Sequence, residues 1–145
     1  MPVVLIVLAA LAVFWVGYRL YGAFVARAMG LDDGRATPAV RVNDGQDFVP
    51  TKTGYLLGQH FSAIAAAGPI VGPIVACRMF GWGPALLWIV LGAILIGAVH
   101  DFSSLIGSVR HGAKSIAGIV KVQLGQGAYL AFLAFLWLSL VYVLI

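Results

Sequence analysis

The sequence predicts an all-α integral membrane protein, a polytopic bundle of transmembrane helices with about four spans. Two observations carry this. Of its 145 residues, 62% are hydrophobic and only 10% charged, with a mean hydropathy of +1.02. No soluble domain of this size needs so much apolar side chain. The apolar residues also fall into four stretches that reach or approach the roughly 20 residues a spanning helix requires.

The first stretch runs from about Val3 to Val25. Only Met1 and Pro2 precede it, so it lacks the basic start of a cleavable signal and reads as a retained first helix. Arg19 lies toward its inner end, where a long side chain can snorkel to the interface. A polar loop follows, about 29–54, with every carboxylate except Asp101. Asp44-Gly45 is a strong turn pair, and Pro38 and Pro50 push the residues before them toward extended backbone. This loop is either a solvated connection or an ordered gate over the helix ends, with Asn43, Asp44, Gly45 and Asp47 as the gating candidates.

The second span, about 56–79, is expected to be broken. Gly68-Pro69-Ile70-Val71-Gly72-Pro73 interrupts it at mid-run. Lipid offers no hydrogen-bond partners, so a plain anchor helix keeps its ladder intact. Two prolines four apart remove two donors, and the glycines remove bulk at the same place. A helix broken at this depth can place backbone groups around a substrate. The competing explanation is a proline kink packed through the Gly68/Gly72 GxxxG spacing. Gly68, Pro69, Gly72 and Pro73 are therefore candidate substrate-binding residues. His60, one turn inside the span, joins them as a candidate or is an interfacial polar residue.

The third span runs from Pro84 to about Val109, and the fourth from about Gly127 to Ile145. The basic loops set the orientation. Arg27, Arg35, Arg41 and Lys52 follow span one, and Arg110, Lys114 and Lys121 follow span three. The positive-inside rule then puts the N-terminus outside and both basic loops in the cytoplasm, provided the second span crosses fully. The balance of nine basic to five acidic residues is topological and does not point to nucleic acid. Cys77 alone cannot form an internal disulfide and reads as an apolar filler. No metal-ligand cluster, cofactor motif or nucleophile–base signature appears. Ser103 and Ser104 stand too near His100 on one helix to make a hydrolase.

Asp101 is the only acid inside an apolar stretch, beside His100. Intramembrane ionisable residues are costly and are functional candidates by default. Helical spacing aligns Gly97, Asp101, Ser104 and Ser108 on one side, facing protein or water. Asp101, His100 and Ser104 are thus candidates for proton coupling or a polar network. The alternative for Asp101 is a packing role, paired with a basic residue at the rim.

Several strings in one order carry a resemblance to a known family. They are Thr37-Pro38-Ala39-Val40, then Asn43 through Pro50, then Gly58-Gln59-His60-Phe61-Ser62 running on to Pro73. Leu87-Trp88-Ile89, Gly97-Ala98-Val99-His100-Asp101-Phe102 and the basic segment Arg110 to Ser115 follow. Together these resemble the carbon starvation protein A family over roughly Tyr21 to Lys121. His100 stands where many members have Gln, and Gln59 where many have His. The resemblance implies a multi-pass transporter of the bacterial inner membrane that takes up peptides or small carboxylates such as pyruvate, coupled to protons. It implies similarity to inverted-repeat transporters of five helices per repeat, in which a broken helix carries the substrate. Four spans do not complete one such repeat, so an N-terminal fragment is expected. Its partners would be the substrate, the bilayer, and the remaining helices or a second copy. The rival reading is a small, non-transporting interaction protein that dimerises through Gly68 and Gly72.

Overall fold

The computed structural model describes residues 2–145. It is a set of helices joined by turns, with no strand among the described residues. Three single helices are long and apolar enough to cross a membrane, and a bent pair supplies a fourth.

Helix α1, Val3–Ala28, is the first span. Its middle, Gly17–Gly22, is a π-helical turn. Such wide turns inside α-helices frequently mark functional sites. α1 ends in a Schellman motif. Gly30 has φ +60, the Leu31 N–H donates to Ala26 O at 3.0 Å, and the Gly30 N–H donates to Arg27 O at 3.0 Å. Glycine suits that left-handed turn because it carries no Cβ. The short α2, Pro38–Val42, has proline in its first turn, where the missing N–H costs nothing. Asn43 ends it in the left-handed region at φ 40, ψ 57.

The second span consists of α3, Thr53–Ile64, and α4, Ala67–Phe80, bent by 47°. The break lies at Ala65-Ala66, upstream of the expected Gly68–Pro73. Ala65 has φ −74, ψ 50, and Ala66 is extended at φ −85, ψ −178. The shift has a steric cause: a proline ring clashes with the carbonyl four residues earlier, and four before Pro69 is Ala65. Pro69 itself occupies the first turn of α4, where no N–H is needed. Pro73 lies inside α4, which remains helical through it.

Gly81, at φ 83, makes the tight turn into α5, Trp82–Arg110. α5 also carries a π-helical turn, Ala93–Gly97. The last helix, α6, Ile116–Leu144, starts with Ser115 accepting from the Gly118 N–H at 3.2 Å. Gly125, at φ 87 and ψ −177, interrupts it. The interruption divides it into a short helix, 116–124, and a longer apolar one, 126–144, within a run, Ile116–Leu144, long and apolar enough to cross a membrane.

α1 and α5 run parallel and touch at three levels. Val3 and Ile6 share an apolar hollow with Leu86 and Ile89 at one end. In the middle the π-helical turns face each other, and a Cβ on Gly17 would lie 2.9 Å from Ile94 Cδ1. At the other end Arg110 reaches the last turn of α1. Every residue of α3, by contrast, is exposed.

Candidate functional site

The break in the second span leaves two facing half-helix ends. At the end of α3, the Ala65 N–H donates to Phe61 O at 2.9 Å, and the Ala66 N–H closes a tight turn onto Ile64 O at 2.7 Å. The first amides of α4 form the positive end of a helix dipole, which favours negative charge. Gly68 and Gly72 lie just inside α4. A Cβ on either would meet nothing within 4 Å, so backbone is accessible along this face. His60 is exposed on α3, and no hydrogen bond connects it to His100.

On α5 the predicted polar stripe exists as a half-buried strip. Gly97, Asp101, Ser104 and Ser108 are all partly covered, whereas the His100 side chain is 76% exposed. The His100 ring faces Asp101, Nδ1 to Oδ1 at 3.0 Å, the only His, Lys or Arg nitrogen within ion-pair distance of a carboxylate among the described residues. No basic residue of the inner rim reaches Asp101. Ser103, not Ser104, ties back to His100, donating to its carbonyl at 3.0 Å.

The loop candidates form one ordered turn. Asp44 Oδ1 accepts from the N–H groups of Gln46 (3.0 Å), Asp47 (3.0 Å) and Phe48 (2.8 Å). These bonds, the one from Phe48 foremost, hold the Asp44 carboxyl below its ordinary pKa. Gly45, at φ 75, lets the chain reverse inside this turn. Among the described residues, no cluster of His, Cys, Asp or Glu could hold a metal.

Three features lie outside the sequence expectations. The first is Arg19, which does not snorkel inward. Its guanidinium lies over the Trp15 ring, 5.6 Å from the centroid, one turn back toward the start of α1. Helical side chains lean toward the N-terminus, so the Trp15-to-Arg19 spacing was the signal for this. The second is Arg110, whose Nη2 donates to the carbonyls of Met29 and Gly30. The third is His111. Its Nδ1 lies 2.8 Å from Gly107 O, and its Nε2 lies 2.9 Å from Gln123 Nε2. A carbonyl only accepts, so Nδ1 carries the proton and Nε2 accepts from the Gln123 amide. This bond ties the end of α5 to the short helix 116–124.

Comparison with known proteins covers the same set of elements. The family model for the carbon starvation protein CstA matches residues 2–145. The chain is 50% identical over 122 residues to the peptide transporter CstA of Campylobacter jejuni, covering 83% of this chain and 17% of the relative. It is 45% identical over 129 residues to the peptide transporter CstA of Bacillus subtilis, covering 88% and 21%. It is 46% identical over 121 residues to the pyruvate/proton symporter BtsT of Escherichia coli, covering 83% and 17%. The chain thus spans about a fifth of the length of these relatives. No solved structure matches it. With its apolar spans, its interrupted second helix and a family match that runs from residue 2 to residue 145, the chain belongs to the carbon starvation protein CstA family.

Proposed function

We propose that this chain forms part of a secondary transporter of the bacterial cytoplasmic membrane. The transporter takes up peptides or small carboxylates such as pyruvate, coupled to protons, and is not an enzyme. The observation that carries the reading is the break at Ala65-Ala66 inside an otherwise spanning apolar run. Lipid penalises unpaired backbone groups, so a break is tolerated where it lines a cavity or meets protein. The start of α4, with Gly68, Pro69, Gly72 and Pro73, contributes exposed backbone to the substrate site, and His60 borders the approach. Asp101 and His100, with Ser104 beside them, carry the proton or a polar network. The turn at Asn43, Asp44, Gly45 and Asp47 serves as a gate. The relatives named above, a peptide transporter and a pyruvate/proton symporter, support the substrate classes.

The test is uptake of labelled pyruvate and a labelled dipeptide by cells producing the protein in a host deleted for its own carriers, with and without a protonophore. Protonophore-sensitive uptake of either compound is expected. Absence of both, with the protein present in the membrane, overturns the reading. A second reading has one observation in its favour: the open face over Gly68 and Gly72 suits close helix–helix approach, hence a dimer that does not transport. Crosslinking across that face without any uptake would select it.

A further inference from the structure

We infer that Arg19 is a carboxylate-binding residue, set in a cavity between the π-helical turns of α1 and α5. The cavity has a volume of about 600 Å³ and is lined mainly by apolar and aromatic groups, among them Phe14, Tyr18, Tyr21, Ile94 and Phe102. Arg19 is the one charged residue in that lining.

Depth makes this arginine unusual. It lies about 14 Å of helical rise inside Ala28, the last residue of α1. The hydrocarbon core is about 30 Å thick, so its Cα stands close to the midplane. The side chain then leans onto Trp15, away from the nearer interface. A charge at that depth is expensive and is retained where it faces a cavity or a partner. Among the described residues, no carboxylate pairs with Arg19 and none of its N–H groups donates a hydrogen bond. Trp15 lies beneath the guanidinium, 5.6 Å from Cζ to the ring centroid, and the fork of donors is unoccupied among the described residues.

A planar fork next to an apolar cavity matches a planar carboxylate on a small organic body. A lipid headgroup is the wrong occupant, because headgroups sit at the interface and not near the midplane. The π-helical turn supplies the opening. It widens α1 at Gly17–Gly22, and Gly17 lets Ile94 close the far wall. The inference rests on the transport reading for its choice of probes, since the substrates proposed above all carry a carboxylate.

The experiment is calorimetric titration of the purified protein in lipid nanodiscs, with no turnover required. The probes are pyruvate and Ala-Ala, each beside its methyl ester, which keeps the size and removes the charge. The native protein is expected to prefer at least one acid over its ester by about 10-fold or more, the size of a charge-assisted hydrogen bond. Arg19→Gln removes that preference and leaves ester affinity unchanged; Arg19→Lys, with charge but no fork, keeps part of it. Size-exclusion profiles identical to the native protein establish that the variants are folded, and Arg19→Lys alone decides if Arg19→Gln does not fold. Acid preference that survives in folded Arg19→Gln, or that is undiminished in folded Arg19→Lys, overturns the inference, as does binding of neither acid to the native protein. Intact preference with no uptake in cells strikes the transport reading alone.

Discussion

Arg110 closes the end of a helix to which it does not belong: its Nη2 donates to the main-chain carbonyl of Gly30 at 2.9 Å, 80 residues away. The same nitrogen reaches the carbonyl of Met29. The Schellman turn satisfies the carbonyls of Ala26 and Arg27 and leaves these two pointing outward. Arg110 is also the last residue of α5, so one guanidinium sits at the negative ends of two parallel helix dipoles. Parallel spans need an odd number of crossings between them. The parallel packing of α1 and α5 thus accords with α3–α4 crossing once, the condition of the positive-inside reading.

Arg110→Ala is expected to destabilise the folded protein by about 1–2 kcal/mol, the lower part of the range for charge-assisted bonds, because the group is exposed. Thermal unfolding in detergent checks this. Arg110→Lys should restore most of the loss, because both bonds come from one nitrogen and an ammonium has three donors. An alanine variant as stable as the native protein removes the bracing role.

The glycines divide into two kinds, and substitution separates them. A side chain at Gly17 runs into Ile94, whose Cδ1 is 2.9 Å and Cγ2 3.2 Å from the built Cβ. Gly17→Leu should force α1 from α5 at a cost of about 1–3 kcal/mol and lower the yield of folded protein. Gly68→Leu with Gly72→Leu meets open space. That double variant should insert normally and lose uptake, because the added bulk fills the face where substrate is received. Fluorescent size-exclusion for folding and labelled pyruvate for uptake distinguish the two. Uptake retained in the double variant removes Gly68 and Gly72 from the site.

The spans were legible because composition and length alone identify a bilayer-crossing run, and Gly125 divides the last run where the apolar pattern begins, near Gly127. The break in the second span was legible in kind but displaced. A proline acts on the carbonyl four residues back, so Pro69 disrupts Ala65 and leaves its own position helical. The π-helical turns were not legible, since no residue pattern in Gly17–Gly22 or Ala93–Gly97 distinguishes an i+5 ladder from an i+4 one. The His111 bond to Gln123 depends on how the turn at Gly112 and Ala113 folds back, with φ 73 and 63. Sequence spacing alone does not fix such a contact.

Asp101 makes its one side-chain contact with His100, the residue before it. It lies on a half-buried strip where, among the described residues, no Lys or Arg pairs with it. Asp101→Asn preserves shape and hydrogen-bonding atoms but holds no charge. The expected result is uptake that no longer responds to a protonophore and no longer varies with pH. An unchanged profile makes Asp101 a packing residue. His100→Gln is the companion variant; retained coupling in it assigns the proton to Asp101.

The turn at Asp44 should respond to acid, and only to acid. Three N–H groups converge on its Oδ1, and they favour the ionised form, the Phe48 bond most strongly. Its folded pKa is thus lowered relative to the unfolded chain. The stabilisation is fully present above the unfolded value, near pH 4, and is lost as pH falls through the lower folded value. Amide signals of Gln46, Asp47 and Phe48, followed by NMR in nanodiscs, should stay constant from about pH 8 to 5 and shift together below about pH 4. Asp44→Ala should abolish the turn at every pH, whereas Asp44→Asn keeps an acceptor and should hold part of it. Signals that move near neutral pH would assign the turn's order to another group. If the loop gates uptake, its own charge is constant across the physiological range. Any pH dependence of transport there then arises at groups other than Asp44.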